Sequence, residues 1–103
     1  MNRLKQKRLE RSGWKVGTAK DFLGLSEEEA AFVEVKLRLA SELANRRRDR
    51  GLTQDRAAKL FRSSQSRVAK MEAADPTVSA DLLIRCLLKL GATRKELAKA
   101  IGA

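Results

Sequence analysis

The residues best equipped for chemistry lie between Arg47 and Ser79. Within that stretch Gln65, Ser66 and Lys70 carry the side chains that suit a nucleic-acid groove. A glutamine amide offers a donor and an acceptor together, which match the edge of adenine. A lysine donates to guanine, and a serine hydroxyl donates or accepts. Gln65 and Ser66 fall in the first turn of an expected helix, where a recognition helix entering the major groove end-on brings side chains to base edges. Arg67 faces outward beside them. Thr53 and Gln54 open the preceding helix, whose N-terminal amides can meet a phosphate with help from the helix dipole. Arg62 lies between the two helices and supplies a further cation for the backbone. A solvated helix face is the bland alternative for each residue taken alone. The agreement of caps, spacing and residue types favours groove readout, with Gln65, Ser66 and Lys70 reading bases and Thr53, Gln54, Arg62 and Arg67 on the phosphates.

Those side chains need elements to hold them. Helices expected over about 54–61 and 65–73 are joined by Arg62, Ser63 and Ser64, the spacing of a helix-turn-helix. Ala58 sits where the two must approach closely, and Leu60, Phe61, Val68 and Met71 supply the apolar filling. Helix starts are marked throughout. Ser26 to Glu29 and Thr93 to Glu96 read as capping boxes, and Thr53, Ser64 and Ser79 as N-caps. Gly51 and Gly91 sit where left-handed C-caps belong. Further helices are expected over about 27–50, 80–90 and 94–101, the first either one rod or two broken near Lys36. On it Phe32, Val35, Leu39 and Leu43 share one face. The expected fold is all-α, with five helices.

The helix at 80–90 is apolar around most of its circumference. Leu82, Leu83, Cys86, Leu87 and Leu90 make a core stripe, and Ile84 and Leu88 widen it; only Arg85 and Lys89 clearly face water. Ile84 and Leu88 are therefore either covered within the chain or a candidate dimer interface. Cys86 reads as a small buried hydrophobe.

The chain has 103 residues, a net charge of +10 and no histidine. That charge suits a polyanionic partner. The absence of histidine removes the commonest general base and metal ligand. One cysteine excludes an internal disulfide and a cysteine zinc site. With no paired-carboxylate cleft, phosphate loop or metal spacing, an enzyme is not expected, nor any cofactor or metal. No apolar run is long enough to span a membrane and no secretory signal is visible, so a cytoplasmic protein is expected. Over half the charge sits in residues 1–20, with seven bases against Glu10 alone.

GLTQ at 51–54, SQSRVAKME at 64–72 and PTVS at 76–79 resemble the Xre/Cro-type helix-turn-helix of phage repressors and bacterial regulators, over residues 37–101. The resemblance implies that Gln54 contacts the DNA backbone and that Gln65, Ser66 and Lys70 read bases. It also implies that Arg47 pairs with Glu72, tying the first helix to the recognition helix. Two positions depart from the family pattern. Arg62 stands where glycine is usual in the turn, and a left-handed conformation costs arginine about 1 kcal/mol more than glycine. Ala57 stands where leucine is frequent.

Upstream, FLGLSEEEAAFVEVKLRLA at 22–40 is similar to HigA-type antitoxins, the partners of RelE-fold toxins. This implies a homodimer that represses its own operon at an inverted repeat of double-stranded DNA and neutralises a HigB/RelE-type toxin. A stand-alone Xre-family regulator and a module acting mainly as toxin inhibitor remain the alternatives. Residues 26–103 read as the helix-turn-helix domain and 1–25 as a basic N-terminal extension, either partly disordered or partner-binding. In it Trp14, Phe22, Leu23 and Leu25 are candidate partner contacts, an exposed indole beside an apolar cluster.

Overall fold

A computed structural model describes residues 24–102, and Trp14, Phe22 and Leu23 lie outside them. The described residues form five helices and no strand: α1 (Glu27–Asp49), α2 (Gln54–Leu60), α3 (Gln65–Glu72), α4 (Ala80–Lys89) and α5 (Arg94–Gly102). The fold is all-α, and α1 is one continuous helix with no break at Lys36. The chain divides into two compact units, Met1–Val35 and Lys36–Ala103.

Side chains start most of these helices. Thr53, Ser64 and Ser79 each accept the amide three residues on, at 3.1 to 3.2 Å. Both capping boxes close reciprocally: the Ser26 amide donates to Glu29 and the Glu29 amide to Ser26, and Thr93 and Glu96 do the same. The first turn of α1 adds Glu27, Glu28 and Glu29 at the positive end of its dipole, and Arg46, Arg47 and Arg48 sit at the negative end. Arg46 also reaches two carboxylates, Glu42 at 3.2 Å and Glu96 at 3.4 Å, and so links the last turn of α1 to the start of α5. The Thr93 amide, followed by Arg46, holds the Glu96 carboxyl below the ordinary carboxylate range.

The ends of α1 to α4 share one geometry. After α1 the Leu52 amide donates to the Arg47 carbonyl and the Gly51 amide to the Arg48 carbonyl, with Gly51 at φ 68°. The same pair of bonds closes α2 around Arg62, α3 around Ala74 and α4 around Gly91. Arg62 and Ala74 adopt positive φ, 56° and 54°, without being glycine. After Ala74 the chain turns sharply. The Asp75 carboxylate accepts from the Thr77 amide and hydroxyl, which hold its carboxyl below the usual range, and the Val78 amide donates back to the Asp75 carbonyl. This turn delivers Ser79 as the cap of α4.

The core of the second unit is aliphatic. Leu39 and Leu43 of α1, Ala57 and Ala58 of α2, Val68 and Met71 of α3, Val78, and Leu83, Cys86, Leu87 and Leu90 are all buried, and Phe61 with them. Burying each large apolar side chain is worth about 1.5–3 kcal/mol. Cys86 donates to the Met71 thioether across this core, and burial pushes its thiol up from the ordinary value.

Two apolar residues, Leu60 and Phe32, depart from the sequence expectation. Leu60 is 49% exposed and does not fill the helix-turn-helix. The inward face of α2 is set by Ala57, Ala58 and Phe61, and at ~100° per residue Leu60 lies about 200° from Ala58. Phe32 is 54% exposed although it shares a stripe with Leu39 and Leu43. Periodicity identifies residues on one face, not how far along the helix a packing partner extends. Leu88 is half exposed and Ile84 only partly buried, so the described residues do not fully cover the wide apolar face of α4, which the sequence left open.

Candidate nucleic-acid interface

Helices α2 and α3 form the pair around which the site is built. Their contact is close because Ala57 and Ala58 bring no bulk to it; both are buried. Ser63 and Ser64 follow the left-handed Arg62, and Ser64 then starts α3. The turn thus spends one strained residue to reverse the chain within three positions.

The anchor of α3 is its last residue. Glu72 receives the Arg47 guanidinium in a two-pronged contact, Nε to Oε2 at 2.5 Å and Nη2 to Oε1 at 3.1 Å. Arg47 also donates through Nη1 to the Leu52 carbonyl at 2.7 Å. One side chain therefore joins α1, the loop before α2, and α3. Both partners are nearly enclosed, at 12% and 8% side-chain exposure. The hydrogen bonds to Glu72 raise the Arg47 pKa further above its already high value.

From Glu72 the contacts continue to the surface. The Gln54 amide nitrogen donates to Glu72 Oε1 at 3.1 Å, and Gln54 Oε1 accepts from Gln65 Nε2 at 2.6 Å. Gln54 and Gln65 are the first residues of consecutive helices. The largely enclosed Glu72 carboxylate thus orients Gln54, which in turn orients Gln65 at the exposed start of α3. No local feature of the sequence signals this contact, since it joins residues 11 apart across a turn.

Gln65, Ser66, Arg67 and Lys70 are all exposed on α3, and Thr53 and Arg62 are exposed on its flank; Gln54 is partly buried. Ser66 and Ser64 hydroxyls lie 3.3 Å apart. The face therefore offers an amide, hydroxyls and cations, and no carboxylate of α3 opens onto its first turn. Such a set can donate to phosphates and hydrogen-bond base edges. Ile84 and Leu88 stand on α4, and Leu25, partly buried, precedes α1 in the other unit. Among the described residues no cluster of side chains suits a metal ion, and no helix is long and apolar enough to cross a membrane.

A family model described as a helix-turn-helix domain matches residues 38–100 of the chain. No curated protein and no solved structure matches it.

Proposed function

This chain belongs to the helix-turn-helix domain family, and on that premise we propose that it is a cytoplasmic, sequence-specific DNA-binding repressor acting as a homodimer on an inverted repeat. Gln65, Ser66 and Lys70 read base edges, and Thr53, Gln54, Arg62 and Arg67 hold the phosphate backbone. The observation that carries this reading is the oriented, exposed first turn of α3, with Gln65 tied through Gln54 to a nearly enclosed ion pair. A reading side chain held in place before contact loses less conformational freedom on binding. One recognition helix spans only a few base pairs, so two half-sites about one helical turn apart supply the specificity. The half-exposed Leu88 and partly buried Ile84 of α4 are the proposed dimer face.

Titration against the upstream DNA of the chain's own gene, at two salt concentrations and beside random duplex of equal length, tests the proposal. Sequence-dependent binding with a steep salt slope is expected. Equal affinity for both duplexes would end it. The Leu88→Asp variant should be monomeric and lose cooperative binding.

The finer reading is an antitoxin that represses its own operon and neutralises a RelE-fold toxin. It is supported by the likeness of residues 22–40 to HigA-type antitoxins. Co-purification of the chain with the product of its neighbouring gene tests it.

A further inference from the structure

Among Gln65, Ser66 and Lys70 on α3 stands a side chain with no polar atom to offer. At ~100° per residue, Ser66 lies about 100° round the helix from Gln65, and Lys70 about 140°. Ala69 lies about 40° round, inside that arc and one turn on from Gln65. Val68 and Met71, both buried, leave α3 on the opposite side. A helical side chain leans toward the helix N-terminus, so the Ala69 methyl overlies the turn that carries Gln65 and Ser66. Its neighbours do not close over it. Gln65 is held toward α2 by its 2.6 Å bond to Gln54, and the Ser66 hydroxyl lies 3.3 Å from that of Ser64 in the turn before α3. Ala69 is accordingly only partly buried.

We propose that Ala69 is a specificity-determining residue that meets the 5-methyl group of a thymine in each half-site, beside the base edges met by Gln65 and Ser66. This rests on the reading of α3 as the recognition helix. Every base pair shows hydrogen-bonding atoms along its major-groove edge, and the thymine methyl is the apolar group among them. An alanine methyl set against a donor or acceptor would displace water without replacing its hydrogen bond. Set against the thymine methyl, it removes apolar surface from water on both sides. The small size of Ala69 matters as well. A longer side chain there would hold the short Ser66 hydroxyl away from the groove floor. Ala73 lies in the same arc, about 80° round, but it caps the far end of α3, whereas the N-terminal end enters the groove.

Enrichment of a random duplex library by the full chain supplies the preferred duplex. Each thymine in it is then replaced in turn by uracil, which pairs identically and lacks only the methyl. At one thymine of the half-site, uracil should weaken binding by the parent about fourfold, the effect of one buried methyl group, and about sixteenfold when both half-sites are changed. In Ala69→Gly, thymine and uracil at that position should bind alike, while Ala73→Gly should keep the parent's ratio. Both duplexes meet the same folded fraction of a variant, so the ratio is insensitive to lost helix stability. A parent indifferent to uracil at every thymine would overturn the assignment and leave groove reading by Gln65 standing. A ratio undiminished in Ala69→Gly, or abolished only in Ala73→Gly, would overturn it by giving the methyl to another side chain. A parent that enriches no sequence would overturn it together with the recognition-helix reading.

Discussion

Arg47 and Glu72, 25 residues apart in the chain, close on each other through two hydrogen bonds, and the same Arg47 holds the Leu52 carbonyl. Neither partner is more than 12% exposed. Truncating one leaves the other charged and largely enclosed, which costs up to about 3 kcal/mol for a pair buried only in part. Glu72→Ala should therefore destabilise the fold more than any substitution at Gln65, Ser66 or Lys70, as measured by urea unfolding. It should also release Gln54, so DNA affinity should fall beyond what the lost stability explains. A melting temperature unchanged by Glu72→Ala would remove this pair from the account.

Gln65→Ala and Lys70→Ala should each cost about 1–3 kcal/mol on the specific duplex and little on random DNA. Gln54→Ala should reproduce part of the Gln65→Ala loss, because Gln54 orients Gln65. Fluorescence anisotropy on both duplexes provides the comparison. Uniform weakening on both would reassign these residues to backbone contact.

Arg62 and Ala74 hold left-handed conformations that favour glycine. Ala74→Gly should stabilise the protein by about 1 kcal/mol, since it relieves the β-carbon clash and touches no proposed contact. Arg62→Gly should stabilise the fold similarly yet weaken DNA binding through loss of a cation. The converse change, Gly51→Ala, should destabilise by a comparable amount, because its φ is 68° although no atom crowds the site. Thermal melts decide; a lower melting temperature for Ala74→Gly contradicts this account of the turn.

Asp75 and Glu96 have carboxyl groups held below their ordinary values by amides and hydroxyls of Thr77 and Thr93, with Arg46 adding to the second. A carboxyl with a lower pKa folded than unfolded contributes its stability in full above the unfolded value, near about pH 4, and loses it as pH falls through the folded value. Melting temperature should thus drop on acidification. The Asp75→Asn/Glu96→Gln variant retains carbonyl acceptors but cannot titrate, so its decline between about pH 5 and pH 3 should be shallower. Parallel curves for variant and parent would exclude these two groups as a cause.

A chain beginning at Ser26 retains the first capping box and all five helices of the described residues. If residues 1–25 grip a partner protein, it should keep its DNA affinity and lose that partner, which is the outcome expected here. An arm on DNA would instead reduce the salt slope by about 0.9 per lost phosphate contact. Full binding of the partner by the shortened chain would rule out the gripping role.

Helix limits were legible from residue order because the bonds that set them span three to five positions. Ser64 reaching the Arg67 amide, or Gly51 turning behind Arg48, needs no distant partner. The helix-turn-helix spacing was legible for the same reason, and the Arg47–Glu72 pairing only through likeness to a known family. Folding in three dimensions settled what depends on neighbours far along the chain. Leu60 and Phe32 look like core residues by type, yet both are half exposed, because burial is a property of the face a packed partner covers. Ala74 carries no glycine to announce its left-handed turn; closure by the Asp75 amide and the loop that follows holds it there. The Gln54–Gln65 bond exists only where separate helices converge, and no spacing along a single helix encodes that convergence.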